Sequence, residues 1–118
     1  MCGDSTDVLQ VERLMNGKKS DIVFTSPPYN VGKTPNGNEQ KYLNDKDDQD
    51  QQDYCDFITS FVSIYLEYAD YVFENVQSVA GNKVALIDHL YRLKEKFADV
   101  MIWDKETSEP AMAIGDKY

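Results

Sequence analysis

The sequence has little of what metal and disulfide chemistry requires. It contains two cysteines, Cys2 and Cys55, far apart and outside any Cys-x-x-Cys pair, and a single histidine, His89. These residues are too few to supply the four nitrogen and sulfur ligands of a typical zinc site. We therefore expect no bound metal and two free thiols, as in a reducing compartment.

Long apolar runs are also missing. No uninterrupted stretch approaches the roughly 20 residues that a membrane-spanning helix needs. Residues 1–10 carry Asp4 and Asp7 where a signal peptide would be basic and then apolar. The sequence therefore predicts a soluble, cytoplasmic protein.

Positive charge is scarce. Among 118 residues, 12 Lys and Arg stand against 21 Asp and Glu, which gives a net charge of −9. A free-standing, non-specific nucleic-acid binder needs clustered Lys and Arg to neutralise phosphates, so this class is disfavoured. Nucleic acid as the substrate of a larger assembly remains compatible with the charge. The length allows one small domain at most.

Apolar periodicity divides the chain into alternating helices and strands. Helices are predicted over residues 7–16, 54–79 and 90–97, and buried strands over residues 21–24, 83–88 and 99–104. This alternation predicts an α/β domain with a mostly parallel sheet flanked by helices. Ligands gather beyond the carboxyl ends of such strands, here at residues 25–30, 88–89 and 104–105.

Residues 31–53 form a predicted flexible acidic loop. Within it, residues 44–53 hold five Asp and one Lys, a net of −4 out of the −9 of the whole chain. The glycine and terminal glutamate of a calcium-binding EF-hand are absent at the required offsets. A loop of this length is either functional or disordered, and its composition favours a solvated segment.

The most informative feature is Ser26-Pro27-Pro28-Tyr29, directly after the first strand. Two prolines fix φ and remove amide donors, so that backbone carbonyls can face a pocket without competing N–H groups. The serine hydroxyl adds an acceptor and the tyrosine an aromatic face. The alternative is an ordinary turn.

Such groups suit an exocyclic amine of a nucleobase, whose lone pair is delocalised into the ring. Acceptors that hold the amine hydrogens favour a pyramidal nitrogen, and an aromatic face stabilises the positive charge that develops during methylation. A base in duplex DNA must be flipped out of the stack to reach the pocket.

The sequence resembles the amino-methylating DNA methyltransferases, the N6-adenine and N4-cytosine family, whose (D/N/S)-P-P-(Y/F) motif is matched at residues 26–29. The resemblance implies a partial Rossmann-like fold that uses S-adenosylmethionine on DNA. By it, Ser26 and the carbonyl of Pro27 accept hydrogen bonds from the target amine, Pro28 completes the motif, and Tyr29 stacks on the base. Asp4, within Gly3-Asp4-Ser5, would contact the adenine of S-adenosylmethionine, and residues 102–105 are similar to the family's Trp-(Asn/Asp)-Lys.

Several alternatives stay open at this point. Asp4 is equally explained as a residue of the N-cap region before the first helix. Asn30 is at least as well explained by side-chain to backbone bonding within the loop as by a base contact. The target base can be adenine or cytosine. The rival function is a non-catalytic acidic interaction module, or a remnant, derived from a DNA methylase.

The family's Phe-x-Gly-x-Gly methyl-donor loop and target-recognition domain are not found in the chain. The catalytic motif at residue 26 leaves no room before it for the donor loop, so the chain is interpreted as one partial domain, residues 1–118, whose donor loop comes later. We therefore expect a fragment, a truncated product or a remnant. Its partners would be DNA, S-adenosylmethionine, and a second copy or the missing half of the domain.

We predict that the chain alone binds S-adenosylmethionine weakly and methylates nothing, because the donor loop is missing. Calorimetric titration of the purified chain, with its mass in solution measured in parallel, checks the first part. Detectable methyl transfer to DNA by these 118 residues would refute the second.

Overall fold

The computed structural model describes residues 2–31 and 49–103. Along the chain it contains α1 (Val8–Met15), β1 (Ser20–Thr25), α2 (Gln51–Tyr68), β2 (Ala69–Glu74) and α3 (Lys83–Arg92). The two strands pair in parallel, which confirms an α/β architecture with a parallel sheet. Within the two described ranges, no helix is both long and apolar enough to cross a membrane.

The first helix and the first strand confirm the sequence predictions. The carboxylate of Asp7 caps α1 by accepting hydrogen bonds from the amides of Leu9 and Gln10, at 2.9 and 3.3 Å. The helix ends at Asn16, which adopts a left-handed conformation with φ of 48°. The strand predicted at residues 21–24 is one residue longer at each end, from Ser20 to Thr25.

The helix predicted over residues 54–79 is too long, because its second part contains the strand β2. It begins earlier, at Gln51, where Asp50 caps it by accepting a 2.8 Å hydrogen bond from the amide of Asp53. It ends at Tyr68, and the chain continues directly into β2. No Gly or Pro marks this boundary. The backbone of residues 69–74 pairs with β1 instead, because this parallel ladder outweighs local helix propensity.

The strand predicted over residues 83–88 is wrong, since this segment is the first part of α3. Ala85 and His89, four residues apart, are buried, whereas Val84 and Ile87 are exposed. This is the burial pattern of a helix. A short apolar run reads equally well as a strand or a helix, and packing against α2 decides here.

The prediction for residues 90–104 also needs correction. Instead of a separate helix over residues 90–97, α3 continues to Arg92 and is followed by turns up to residue 96. Residues 99–103 form neither a helix nor a strand, and Ile102 and Trp103 are 90% and 68% exposed. A strand needs a neighbour to pair with, and none adjoins this segment in the described part of the chain.

The predicted acidic loop over residues 31–53 is described only at its edges. Residues 51–53 belong to the first turn of α2, which corrects the end of the loop. The remainder, residues 32–48, lies outside the described residues, as do residues 104–118.

The core lies between α2, α3 and one face of the sheet. Its buried members include Tyr54, Ile58 and Phe61 of α2 and Ala85 of α3, and Val72 of β2 packs against them. Four aromatic rings follow one stripe of α2, with centroids 5.4–6.4 Å apart from Tyr54 through Phe57 and Phe61 to Tyr65. This stripe confirms the prediction that the α2 aromatics belong to the core.

The opposite face of the sheet is uncovered. Ile22 and Phe24 of β1 are 57% and 70% exposed, and Tyr71 of β2 is 65% exposed. These residues share one face, because Ile22 pairs with Tyr71 and side chains alternate along a strand. Parallel sheets normally bury both faces under helices.

Three loop segments meet at Asn30, which follows the proline motif. Its backbone is left-handed, with φ of 56°, and its side chain is almost fully buried. The Nδ2 group donates to the carbonyls of Gln49 and Gly81, both at 2.8 Å, and Oδ1 accepts from the amide of Gln49 at 2.7 Å. Of the two interpretations left open for Asn30, the structure supports side-chain to backbone bonding.

Replacing Gly81 by Ala is expected to destabilise the fold by about 1–3 kcal/mol. A Cβ atom at this position would collide with the backbone carbonyl oxygen of Asn30. Urea denaturation measures the loss. Gly3→Ala is the matched control, because the added Cβ there meets the flexible end of the Gln10 side chain. Equal stability of the Gly81 variant and the native chain would contradict the close approach.

Cys55 should react far more slowly than Cys2 with a disulfide reagent such as Ellman's reagent. Burial raises the pKa of the Cys55 thiol above its ordinary 9.0, and its hydrogen bond to Asp88 adds to the shift. Cys2 is exposed. The native chain should therefore show one fast and one slow thiol, and both should react fast in denaturant.

The raised pKa of Cys55 also makes the free energy of unfolding depend on pH. Because the folded pKa of Cys55 lies above the unfolded value, the thiol's contribution is present below about pH 9.0 and is lost as the pH rises through the folded pKa. The Cys55→Ala variant should lack this alkaline decline.

In the thiol measurement, a fast reaction of Cys55 with the disulfide reagent in a Cys2→Ser variant would contradict its burial.

Candidate functional site

The carboxyl ends of the two strands bring Ser26 and Asn75 together. The parallel ladder extends one step past β2, where the amide of Asn75 donates a 2.8 Å hydrogen bond to the carbonyl of Thr25. Ser26 follows Thr25 at the end of β1. Two polar residues 49 positions apart thus meet at the sheet edge where α/β proteins place their ligand sites.

Three side-chain groups close a ring of hydrogen bonds at this edge. The Nδ2 group of Asn75 donates to Ser26 Oγ and to the Tyr29 hydroxyl, each at 3.1 Å. The two hydroxyl oxygens are themselves 3.1 Å apart. Ser26 Oγ also lies 3.4 Å from the backbone carbonyl oxygen of Asn75, to which it can donate. Ser26 is exposed, so the ring is open to a ligand.

Further side chains fix the backbone of the motif. The hydroxyl of Tyr54 donates a 2.6 Å hydrogen bond to the carbonyl of Pro28, and Asn82 Nδ2 donates a 2.5 Å bond to the carbonyl of Tyr29. No donor within residues 2–31 and 49–103 reaches the carbonyl of Pro27. The Pro28 carbonyl is therefore occupied, whereas the carbonyl of Pro27, a buried residue, has no donor among these residues.

A small recess of about 190 Å³ adjoins the motif. Its lining includes Ser26, Pro27 and Pro28 of the motif and Ser5 from the segment before α1. Phe57, Phe61 and Tyr65 of α2 add aromatic side chains to the lining. The fold thus brings the Gly3-Asp4-Ser5 segment beside the proline motif, although about twenty residues and two elements separate them.

Asp4 organises the turn that leads into α1. Its Oδ1 accepts hydrogen bonds from the amide and the hydroxyl of Thr6, at 2.8 and 2.7 Å. Its amide donates to Gln10 Oε1 at 2.9 Å, and its carbonyl accepts from the amide of Asp7. Asp7, three residues later, is the N-cap itself. Asp4 therefore belongs to the N-cap region, beside a residue that lines the recess.

His89 and Glu74, the residue that precedes Asn75, form a largely buried hydrogen-bonded pair. His89 of α3 is 3% exposed, and its Nε2 lies 2.9 Å from Glu74 Oε2. The other ring nitrogen lies 2.9 Å from Thr59 Oγ1. Glu74 Oε1 is buried and has no hydrogen-bond partner among the described residues. The pair ties the last residue of β2 to α2 and α3, and so holds Asn75 at the strand end.

Sequence reasoning located the motif but missed the residues that hold it. The structure brings together Ser26, Pro27, Pro28 and Tyr29, with Asp4 nearby. Asp88 and His89 are corrected from a strand end to the middle of α3. Asn75, Tyr54 and Asn82 were missed. The signal for Asn75 was the polar Glu74-Asn75 step after Tyr71-Val72-Phe73, which becomes meaningful once β2 is recognised as a strand.

Comparisons with known proteins add no relative: no protein-family model, no curated protein and no solved structure matches this chain. The function is therefore argued from the geometry of the Ser26, Tyr29 and Asn75 ring.

Proposed function

We propose that the chain supplies the amine-binding part of an S-adenosylmethionine-dependent DNA methyltransferase, which methylates the exocyclic amine of adenine or cytosine in a flipped base. The observation that carries this proposal is the ring of hydrogen bonds among Ser26, Tyr29 and Asn75 at the carboxyl end of β1. The ring contains the first and last residues of the Ser-Pro-Pro-Tyr sequence, and Ser26 is exposed.

The residues of the motif have separate roles in this proposal. Ser26 Oγ and the carbonyl of Pro27 accept hydrogen bonds from the two amine hydrogens, which favours a pyramidal nitrogen with an accessible lone pair. The ring of Tyr29 stabilises the positive charge that develops on the base. Pro28 keeps its own carbonyl bound to Tyr54 and so fixes the turn. Direct attack by the amine needs no strong general base beforehand.

The recess beside the motif fits part of the cofactor. Its aromatic and hydroxyl lining residues suit a purine ring, and Asp4 precedes the lining residue Ser5. At about 190 Å³ it is smaller than the roughly 300–1,000 Å³ of usual ligand sites. The described residues therefore suit only a portion of S-adenosylmethionine, which when bound supplies an electrophilic methyl group. The small volume supports the prediction that the isolated chain binds the cofactor weakly.

A second candidate function is a non-catalytic acidic interaction module. The observation in its favour is the uncovered sheet face with Ile22, Phe24 and Tyr71, together with the net charge of −9. Association through this face would appear as a mass above 13.5 kDa in light scattering. Self-association without any nucleoside binding would favour this candidate over the methyltransferase.

The amine-binding proposal predicts weak but specific binding of nucleosides that carry an amine. In ¹⁵N-labelled protein, deoxyadenosine or deoxycytidine should shift the resonances of Ser26, Tyr29 and Asn75. Ser26→Ala removes one acceptor and should weaken this binding about threefold to tenfold, the usual range for one hydrogen bond.

Ser60→Ala is the matched control, because Ser60 lies on the exposed side of α2 and donates only to the carbonyl of Phe57. It should bind the nucleosides like the native chain. Shifts confined to other regions, or unchanged affinity in Ser26→Ala, would reject the site.

A further inference from the structure

We propose that Asn75 is a positioning residue that makes one of the two hydroxyls, of Ser26 or of Tyr29, present an acceptor outward, so that the site takes an amine and discriminates against a carbonyl. This inference deepens the proposed function and rests on it. It concerns a residue outside the Ser-Pro-Pro-Tyr motif, contributed by the neighbouring strand.

The position of Asn75 is fixed by the sheet. Its amide donates to the carbonyl of Thr25 at 2.8 Å, which holds its backbone against the end of β1. The preceding residue, Glu74, is paired with the buried His89 at 2.9 Å. The side-chain amide therefore meets the two hydroxyls from a backbone that is held on both sides.

The Nδ2 group of Asn75 donates to both hydroxyl oxygens, at 3.1 Å each. Each hydroxyl must therefore accept from Asn75, and two hydroxyl hydrogens remain. The 3.1 Å separation of the hydroxyl oxygens accommodates one hydrogen between them. The other hydroxyl hydrogen has to point away from the ring of hydrogen bonds.

Three arrangements satisfy this count. In the first, Tyr29 donates to Ser26, and Ser26 donates to the Asn75 carbonyl at 3.4 Å. No hydroxyl hydrogen then faces the ligand, and Tyr29 keeps a lone pair. In the second, Ser26 donates to Tyr29 and keeps a lone pair, while the Tyr29 hydrogen turns outward. In the third, Tyr29 donates to Ser26 and the Ser26 hydrogen turns outward. The bond to the Asn75 carbonyl is lost in the second and the third.

An outward acceptor is thus present in all three arrangements, whereas an outward donor is present only in the two that lose the bond to the Asn75 carbonyl. An amine, which donates, is bound by Ser26 in the second arrangement and by the Tyr29 hydroxyl in the other two. A base with a carbonyl at the same position requires the second or the third arrangement and forfeits a hydrogen bond. Without the Asn75 amide, both hydroxyls could rotate and donate outward, and this preference would vanish.

Two similar nucleosides provide the test, because deoxycytidine and deoxyuridine differ only in the amine or carbonyl at one ring position and in the hydrogen that uracil carries on the adjacent ring nitrogen. We expect the native chain to bind deoxycytidine about tenfold more tightly than deoxyuridine, as measured by NMR titration. Asn75→Leu should bring the ratio of dissociation constants near one. Asn75→Asp should keep the preference, since its carboxylate captures the hydroxyl hydrogens and leaves their lone pairs outward.

The outcomes separate this inference from the proposed function. If the native chain binds neither nucleoside at the ring, the proposed function fails and the inference with it. If deoxycytidine is preferred equally by the native chain and by a folded Asn75→Leu variant, the inference alone is overturned. Loss of preference in both the Leu and the Asp variants would mean a merely structural role and would also overturn it.

A measurement on the native chain covers the case in which Asn75→Leu does not fold. The Nδ2 resonances of Asn75 should move in both Ser26→Ala and Tyr29→Phe. The Nδ2 group should stay hydrogen-bonded when deoxycytidine binds. Release of this group by deoxycytidine would overturn the inference.

Discussion

The parallel pairing of Ser20–Thr25 with Ala69–Glu74 is the interaction on which the site depends. It brings Ser26 and Asn75 into contact across 49 positions of sequence, at the entropic cost of closing a long loop. Two strands alone are marginal in water. The pairing is stabilised because α2 and α3 cover one face of the sheet, with Val72 in the core and Glu74 joined to His89.

Side-chain amides, rather than regular structure, shape the loops around the motif. Asn30 and Asn82 are almost fully buried. Asn30 bonds to the backbone of two other segments, at Gln49 and Gly81, and Asn82 bonds to the backbone of Tyr29 and of Gln77 in its own loop. A buried amide left without partners would cost about 1–3 kcal/mol of folding free energy. The loop segments that these amides join are therefore held in contact with one another. The motif's backbone is in this way fixed before any ligand binds, which is what an electrostatic site requires.

The part of the fold that local sequence determines was predictable, and the part that depends on tertiary pairing was not. The helix after Asp7 and the strand before Ser26 follow from a cap, a periodic pattern and two prolines. The strand β2 carries no boundary residue, so its apolar positions were interpreted as a continuation of α2. Its strand state comes from the backbone groups of β1, which no local pattern reveals.

The candidate site divides in the same way. Ser26 through Tyr29 stand consecutively and form a recognisable motif, whereas Asn75 joins them only through the ladder. The missed strand concealed Asn75, because a polar residue inside a presumed helix carries no sign of a ligand site. The apolar segment around Val84 was misassigned for another reason, since its length fits a strand and its burial pattern appears only when α2 is present.

The junction of α2 and β2 has a mechanical consequence. The helix passes into the strand at Tyr68 and Ala69 without a connecting residue. The end of the helix therefore fixes which face of the sheet each side chain of β2 occupies. One extra residue there would turn Val72 and Glu74 to the opposite face of the sheet, because side chains alternate along a strand. It would also carry Asn75 about 3.3 Å along the strand axis, away from Ser26. The residue at which α2 ends therefore determines where Asn75 lies relative to the hydroxyls of Ser26 and Tyr29, because no connecting residue can compensate for an insertion.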